Sequence, residues 1–185
     1  MKLKPNKILI IGKGYIAQRF SEHLCIQLSE LYVNDYSEAS REIQKNKPDV
    51  IINCAGETGT PNVDWCESHR IETLSSNVLC PLILLKIAQE QKIYFVHIGS
   101  GCIYHGNNNG LGYNEEDEPN FSESYYSRTK IMTERTMIKM RSVIASAPLP
   151  FSFRAPRASY CTHLPFFAGW LLRERIRPRS YRQSS

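Results

Sequence analysis

The 185-residue sequence lacks the features that mark several classes of protein. No apolar run reaches the roughly 18 residues needed to cross a bilayer, so we expect no membrane-spanning segment and no membrane partner. The basic residues 1–7 run directly into a strand pattern, without the apolar core and cleavage site of a signal peptide. The six cysteines show no Cys-x-x-Cys pair and no zinc spacing, and His69, His97 and His105 show no metal-ligand pattern. We therefore expect a cytoplasmic protein without a metal site, most of whose cysteines are buried, reduced thiols.

An excess of basic charge is also absent from most of the chain, although the net charge is +5. Residues 151–185 contain seven arginines, one glutamate and no lysine, so this segment carries +6 and residues 1–150 carry −1. A nearly neutral main body gives no reason to expect nucleic acid as a partner. The sequence divides into a domain of ordinary composition, residues 1–156, and an arginine-rich tail, residues 157–185.

Short apolar runs alternate with helical patterns along the first 150 residues. The runs are continuous rather than alternating, which is typical of strands buried on both faces. The first helix is expected to bury Ile16, Phe20, Leu24 and Leu28 on one face. This order predicts an α/β fold with a Rossmann-type, doubly wound parallel sheet. The predicted strands are 7–11, 31–34, 49–55, 92–98 and a short one at 151–153, and the predicted helices are 15–28, 37–47, 64–91 and 123–141.

A glycine-rich turn, residues 12–17, follows the first strand and opens the first helix. Its pattern Gly12-x-Gly14-x-x-Ala17 matches the dinucleotide fingerprint in the required context. The glycines allow the backbone to approach a pyrophosphate at the helix N-terminus. We therefore expect a nicotinamide dinucleotide to bind here.

Asp35 follows the second predicted strand, where a ribose-binding carboxylate belongs in such folds. That role favours NAD over NADP, whereas Lys13 and Arg41 could instead meet a 2′-phosphate. A solvated loop aspartate is an equal alternative for Asp35. The cofactor is therefore predicted as NADP or NAD, with the choice left open.

Tyr126 and Lys130 stand four residues apart in a helical pattern, so their side chains share one helix face. A lysine beside a tyrosine favours the phenolate, and we expect Lys130 to lower the pKa of Tyr126. Upstream, Ser100 ends a strand and can hold the oxygen of a reacting carbonyl. These residues indicate proton transfer by the protein and hydride transfer by the cofactor, in an oxidoreductase.

Together these motifs resemble the extended short-chain dehydrogenase/reductase family over roughly residues 7–156. The segments 58–68, 100–104 and 115–127 are similar to plant-type nucleotide-rhamnose synthases, which are 3,5-epimerase/4-reductases, and to bacterial dTDP-4-dehydrorhamnose reductases. The resemblance implies reduction of a 4-keto-6-deoxy nucleotide sugar to a rhamnose-type product, and a homodimer formed through helices 64–91 and 123–141. It also implies that Asn77 supports the active-site loop, an exposed amide being the alternative.

The strand ends and the resemblance together give two sets of site residues. Asn53, Ala55 and Gly56 are expected to line the cofactor crevice because they follow a parallel strand. With them, the predicted cofactor-binding residues are Gly12, Gly14, Tyr15, Ile16, Asp35, Asn77, Tyr126 and Lys130. The predicted substrate-binding residues are Thr58, Pro61, Asn62, Ser100 and Cys102.

Cys102 lies two residues past Ser100, and we expect both on the same side of an extended segment. A resemblance to GDP-fucose synthases, whose similar Ser-x-Cys-Ile-Tyr segment takes part in epimerisation, implies that the Cys102 thiolate removes the proton beside the keto group. A buried, inert cysteine is the alternative. The family's partner for this cysteine falls well after Lys130, where the resemblance fades.

The chain departs from the family beyond residue 156. Related enzymes continue with a substrate domain that is largely missing here, so a truncation or an altered reading frame is expected, and activity is expected to suffer. A genuine amphipathic tail that packs on the fold or on an anionic surface is the alternative. Two other functions stay open from the sequence. One is a related epimerase or 4,6-dehydratase. A dehydratase is expected to have an acidic pair at the positions of Gly101 and Cys102, which argues against that function. The other is a non-catalytic, dinucleotide-binding regulatory subunit.

Overall fold

The computed structural model describes residues 7–114, 117–139 and 143–145. Within them, four parallel strands form one sheet whose spatial order is the order along the chain. Parallel neighbours need crossover connections, and helices supply them here. The strands are β1 (Ile8–Ile11), β2 (Val50–Asn53), β3 (Tyr94–Ile98) and β4 (Val143–Ala145).

Helices cover both faces of this sheet, which confirms the doubly wound α/β prediction. Successive side chains of a strand point to opposite faces, so neighbouring apolar residues enter different cores. Ile10 packs in one cluster with Phe20 of the first helix. Ile11 packs in the other cluster with Ile43 and Leu84 of later helices. The continuous apolar runs of the strands are explained by this double burial.

The helices agree with the predicted positions but not with all predicted bounds. The first helix ends at Cys25, which adopts the left-handed conformation with φ 54°. Ile16, predicted on the buried face, is 40% exposed, whereas Ala17 and Phe20 are buried. The helices are α1 (Tyr15–Leu24), α2 (Tyr36–Asn46), α3 (Trp65–Ser68), α4 (Arg70–Leu74), a π-helical turn (Ser75–Leu79), α5 (Cys80–Gln91) and α6 (Tyr125–Lys139), with 3₁₀ turns at Gly101–Ile103 and Asn108–Gly110.

The single helix predicted for residues 64–91 is interrupted at His69. That residue leaves the helical region, with φ −120° and ψ 55°. Its ring stacks on Trp65 at a centroid distance of 3.7 Å and 4° between planes. The stack and a hydrogen bond of 3.0 Å between His69 Nδ1 and the Trp65 carbonyl stabilise the break.

The strand predicted at residues 31–34 is not formed. The backbone nearby makes a ladder-like contact with β1, where the Ser29 N–H donates to the Ile10 carbonyl at 3.0 Å. Val33 is nevertheless buried in the same cluster as Ile43. The apolar pattern of residues 31–34 therefore predicted the burial of Val33 correctly, but the prediction that these residues pair as a strand is wrong.

Strand β4 was not predicted, and it pairs in parallel with β3. The strand expected at 151–153, the tail at 157–185 and Cys161 lie outside the described residues. Among the described cysteines, Cys66 and Cys80 are buried, as expected. Cys25 and Cys102 are exposed, so the expectation of buried thiols is wrong for these two.

One helical stretch, Arg70–Gln91, is long and apolar enough by length and composition to cross a bilayer. Half of its most apolar window is buried inside the fold. It contributes Leu84, Leu85 and Ile87 to the core cluster on one face of the sheet. Core helices of water-soluble folds meet the same criteria, so the stretch is weak support for a membrane span.

Candidate active site

The glycine-rich turn lies between β1 and α1, as predicted. Gly12 has φ +106°, and a Cβ there would lie 2.7 Å from the Ala55 nitrogen, so the turn requires glycine. Gly14 is the N-cap of α1, and a Cβ there would meet nothing within 4 Å. Beside it, Tyr15 and Ile16 are 55% and 40% exposed. Open space before a helix N-terminus with no acidic residue in its first turn suits a phosphate group, so the residues fit a dinucleotide.

Asn53 and His97 pair at the adjacent ends of β2 and β3. Asn53 Oδ1 accepts a hydrogen bond from the Ala55 N–H at 3.0 Å, so its Nδ2 faces His97 Nδ1, also at 3.0 Å. Both residues are buried, and burial, with a smaller effect of Lys130, lowers the pKa of His97 to about 3. Asn53 was predicted to line the crevice, but the structure gives its amide to protein partners that shape the strand end.

Asn77 holds the loop that follows β2. Its Oδ1 accepts from the Glu57 N–H at 2.7 Å, and its Nδ2 donates to the Glu57 carbonyl at 2.9 Å and to Thr129 Oγ1 at 3.3 Å. The side chain is fully buried. The amide therefore supports the loop after β2, and the alternative of an exposed amide is wrong. The role of Asn77 in binding a cofactor stays a prediction.

Gly56 lies in the loop after β2, close to Asn77 and to Lys130 of α6. It is exposed at the end of the β2 segment, and half-buried Ala55 precedes it. A Cβ at Gly56 would lie 3.1 Å from Asn77 Oδ1 and 3.7 Å from Lys130 Nζ. The loop that follows β2 and the Lys130 side chain of α6 therefore lie next to each other.

The side chains of Tyr126 and Ser100 are joined by a hydrogen bond. The Tyr126 phenol donates to Ser100 Oγ at 3.3 Å, and the same oxygen accepts the Cys102 N–H at 3.2 Å. One helical turn after Tyr126, the Lys130 ammonium donates to the Ile98 carbonyl at 3.3 Å. The predicted Ser–Tyr–Lys arrangement is thus assembled from β3, the following turn and α6.

The charge states differ from the sequence prediction. Burial raises the pKa of the Tyr126 phenol, and its hydrogen bond with Ser100 lowers it. Burial lowers the pKa of the Lys130 ammonium to about 8. The net shift of the phenol pKa is upward, with burial as its largest cause and no contribution from Lys130, so the expectation that Lys130 brings this pKa towards neutrality is wrong for this geometry. The phenol is a proton donor at neutral pH.

Cys102 lies in a 3₁₀ turn, Gly101–Ile103, and not in the extended segment that the sequence predicted. The turn is capped by Ser100, whose hydroxyl accepts the Cys102 N–H. The thiol is exposed and lies on the wall of the same cavity as Tyr126. The position is that expected of a group acting on substrate, although the local backbone differs.

The N-terminus of α6 is held by two backbone N–H bonds to side chains and by one side-chain bond to the turn of Cys102. Glu67 accepts the Tyr125 N–H at 2.5 Å, and Ser124 Oγ accepts the Ser127 N–H at 3.0 Å. Ser127 Oγ donates to the Cys102 carbonyl at 2.7 Å. The Tyr125 ring contacts two guanidinium groups, those of Arg70 and Arg128.

A cavity of about 660 Å³ opens in front of Tyr126 and Cys102. Of the predicted substrate residues Thr58, Pro61 and Asn62, none lines it, although the neighbouring Val63 and Asp64 do. The sequence analysis missed most of the lining residues. Six of them lie inside the three segments that carried the resemblance and three follow the second segment directly, and this placement was the available signal: Val63, Asp64, Tyr104, His105, Gly106, Asn107, Phe121, Ser124 and Ser127.

The loop that forms one wall of the cavity is closed at its base. The N–H groups of Asn120 and Phe121 donate to the Ile103 carbonyl at 3.2 and 3.0 Å. Asn120 Oδ1 accepts the His105 N–H at 2.7 Å, and its Nδ2 donates to the His105 carbonyl at 3.3 Å. We refer to this arrangement of residues 103, 105, 120 and 121 as the loop clip.

Asp35 has a structural role on α2. Its Oδ1 accepts the Glu38 N–H at 2.9 Å as the N-cap of the helix, and no strand precedes it. The alternative phosphate-binding residues also have partners, since Lys13 pairs with Glu30 and Arg41 donates to the Ser37 carbonyl. The geometry therefore does not select between NAD and NADP.

Comparison with known proteins agrees with this site. Residues 4–146 match the NAD dependent epimerase/dehydratase family. An Arabidopsis thaliana trifunctional UDP-glucose 4,6-dehydratase/UDP-4-keto-6-deoxy-D-glucose 3,5-epimerase/UDP-4-keto-L-rhamnose-reductase is 39% identical over 147 residues, which cover 72% of this chain and 22% of that protein. An Arabidopsis thaliana bifunctional dTDP-4-dehydrorhamnose 3,5-epimerase/dTDP-4-dehydrorhamnose reductase is 40% identical over 116 residues, which cover 60% of this chain and 38% of that protein. The chain spans well under half the length of these relatives.

The fold comparison gives the same family. The crystal structure of a UDP-rhamnose synthase from Acanthamoeba polyphaga mimivirus superposes with a TM-score of 0.65 at 29% identity, covering 76% of this chain and 54% of that chain. The region matched to the family contains the glycine-rich turn, Ser100 and the Tyr126–Lys130 pair. By its sequence and its fold, this chain belongs to the NAD-dependent epimerase/dehydratase family of short-chain dehydrogenase/reductase proteins.

Proposed function

We propose that this chain reduces the keto group of a 4-keto-6-deoxy nucleotide sugar, with NADH or NADPH as hydride donor, and also epimerises the sugar at C3 and C5 to give a rhamnose-type product. The observation that carries this proposal is the hydrogen bond of 3.3 Å between Tyr126 and Ser100 at the wall of a cavity large enough for a sugar. The names of the relatives supply the substrate class. We also propose that residues 1–156 form the cofactor-binding domain.

The reduction assigns one role to each catalytic group. When bound, the reduced cofactor supplies the hydride that the carbonyl carbon receives. Ser100 holds the carbonyl oxygen by a hydrogen bond, and Tyr126 gives that oxygen its phenolic proton. A phenol with a raised pKa is fully protonated at neutral pH and so is ready to act as the acid. Lys130 lies near Gly56, where it can hold the nicotinamide ribose.

The epimerisation needs a group that removes a proton from the carbon beside the ketone. Cys102 is exposed on the cavity wall, and its turn is held against Ser100 and α6. As a thiolate it takes the proton, while the electrons move onto the keto oxygen that Ser100 and Tyr126 bind. A proton delivered from water to the opposite face of the same carbon, with the electrons returning from the oxygen, completes the inversion. We propose Cys102 as this base, with Thr58, Pro61 and Asn62 contacting parts of the substrate beyond the cavity.

A homodimer is the proposed assembly. Three apolar side chains are exposed along α4, the π-helical turn and α6: Ile71 at 78%, Leu79 at 50% and Met132 at 51%. Helices α4 and α6 pack against each other in the fold. A second copy of the chain would cover these residues with the same residues of its own, as expected of a two-fold interface.

The proposal is tested by incubating the chain with NADH or NADPH and a 4-keto-6-deoxy nucleotide sugar, and by following the absorbance of the reduced cofactor. We expect consumption that falls about 10²- to 10⁴-fold in Tyr126→Phe, the range typical of losing a general acid. Tyr125→Phe is the matched control on the same helix and should keep the rate. Cofactor binding without consumption would support the non-catalytic subunit instead.

A further inference from the structure

Ser127 is a fully buried hydroxyl beside the reacting groups. Its Oγ donates to the Cys102 carbonyl at 2.7 Å and accepts from the Ser124 hydroxyl at 2.9 Å. The Ser124 oxygen in turn accepts the Ser127 N–H at 3.0 Å. Both hydroxyl groups are therefore satisfied, and together they join the first turn of α6 to the turn that carries Cys102.

This link closes a ring of hydrogen bonds that includes Cys102, Ser100 and Tyr126. The Cys102 N–H donates to Ser100 Oγ at 3.2 Å, and Tyr126 donates to the same oxygen at 3.3 Å. Tyr126 and Ser127 are neighbours on α6, so the path returns to its start. The other two bonds converge on one oxygen at long distances, whereas the bond from Ser127 is short and partly buried. Together with the packing of Ile103 in one cluster with Ile131, it fixes the separation of the two elements.

We propose that Ser127 is a positioning residue, which holds the turn of Cys102 so that Ser100 and Tyr126 address the same carbonyl oxygen. This inference rests on the proposed reductase function. Its physical basis is that misplacing a reacting group by about 1 Å can cost about a hundredfold in rate. Ser127 acts through Ser100 and Cys102.

The test compares Ser127→Ala with Thr136→Val in the reductase assay. Thr136 also donates its hydroxyl to a carbonyl, that of Met132 at 2.8 Å, but within α6 itself, so it controls for loss of a helix hydroxyl. We expect Ser127→Ala to lower kcat about tenfold or more with little change in KM, because ground-state binding does not use the alignment. Thr136→Val should keep both, and Ser127→Cys, which retains a weak donor, should restore part of kcat.

A double variant separates alignment from general loosening. If Ser127 acts through Ser100, Ser100→Ala with Ser127→Ala loses no more kcat than Ser100→Ala alone. Multiplying losses would overturn the proposal, as would an unchanged kcat in Ser127→Ala while the wild type is active. Thermal melts confirm that each variant is folded.

A measurement that needs no turnover completes the test. Hydrogen exchange of the peptide covering residues 99–104 should be faster in Ser127→Ala than in the wild type and in Thr136→Val, since the Cys102 and Tyr104 N–H groups lie in the affected turn. A wild type that consumes no reduced cofactor would refute the proposed function, and the exchange data would then decide on the link alone. Unchanged exchange would overturn it.

Discussion

Asn77 binds both backbone groups of Glu57, accepting the N–H at 2.7 Å and donating to the carbonyl at 2.9 Å. The amide thus replaces a strand partner for a loop residue that has none. Because Asn77 lies in the π-helical turn and also contacts Thr129 of α6, it ties the loop after β2 to the helix that carries Tyr126 and Lys130. The π-helical turn thus places a polar side chain against the loop after β2.

Replacement of this amide should destabilise the fold. Asn77→Ala removes both backbone bonds of half-buried Glu57 and one bond of buried Thr129 from a fully buried position, so we expect a loss of about 2–4 kcal/mol in the free energy of unfolding. Asn46→Ala is the matched control, since its amide bonds the Glu42 carbonyl within an exposed helix end, and it should change stability by less than about 0.5 kcal/mol. Urea unfolding measures both, and similar midpoints for the two variants would contradict the role of Asn77.

The two glycines of the cofactor turn should respond differently to alanine. At Gly12 the positive φ and the close Ala55 backbone make a side chain costly, and we expect a loss of about 1–3 kcal/mol in stability from strain alone. At Gly14 there is open space, so Gly14→Ala should keep the melting temperature but weaken binding of NADH or NADPH. Fluorescence titration of the reduced cofactor checks the second part. Full affinity in a stable Gly14→Ala variant would argue against a pyrophosphate at this position.

His97 should make the fold sensitive to acid. The unfolded chain protonates this residue below its ordinary pKa near 6.5, whereas burial lowers the folded pKa to about 3. Between these values the unfolded state binds more protons, so stability falls as the pH drops from about 6.5 towards 3. Relative to His97→Gln, the wild type should lose about 2 kcal/mol between pH 7 and pH 5.

The check is urea unfolding at both pH values. His23→Gln is the control, because its side chain is exposed at the end of α1. It should leave the pH dependence of the wild type unchanged. Parallel curves for the wild type and His97→Gln would show that His97 is protonated in the fold.

Cys102 should separate the two proposed reactions. Cys102→Ser removes the base, so exchange of the C3 and C5 hydrogens of the 4-keto sugar with deuterated water should fall at least about a hundredfold. Reduction of a sugar that is already epimerised should continue, since Ser100 and Tyr126 are intact. NMR detects the exchange, and Cys25→Ser serves as the control at another exposed thiol. Equal exchange in Cys102→Ser would remove the cysteine from the mechanism.

The dimer proposal predicts a change in mass. Leu79→Glu and Met132→Glu place charges at the exposed apolar positions, and we expect each to convert a dimer into a monomer. Leu111→Glu, at an 88% exposed loop position away from these helices, should not do so. Light scattering after gel filtration gives the masses. A monomeric wild type at the assay concentration would exclude the dimer.

Sequence reasoning predicted the parts of the site that depend on local spacing. Tyr126 and Lys130 share a helix face because four residues complete one turn, and Gly12 follows directly from the end of an apolar strand. The fold class followed because a strand buried on both faces needs a continuous apolar run.

The contacts that join distant segments were not predictable in this way. The Ser127–Cys102 and Asn77–Glu57 bonds link residues 25 and 20 positions apart, and each depends on how the elements pack. The break at His69 depends on a stack with Trp65 that no period reveals. The direction of the Tyr126 pKa was wrong because a sequence shows a neighbouring charge but not the depth of burial.

The loop clip allows the sequence between its two ends to change with little effect on the rest of the fold. Since Asn120 and Phe121 return to Ile103 and His105, the intervening stretch starts and ends at nearly the same point, and within it Tyr113 stacks on Tyr104. Its tip can therefore be lengthened, shortened or exchanged while both ends stay where they are. Engineered or natural changes of the sequence at this tip can therefore alter the sugar preference while the positions of Ser100 and Tyr126 are kept.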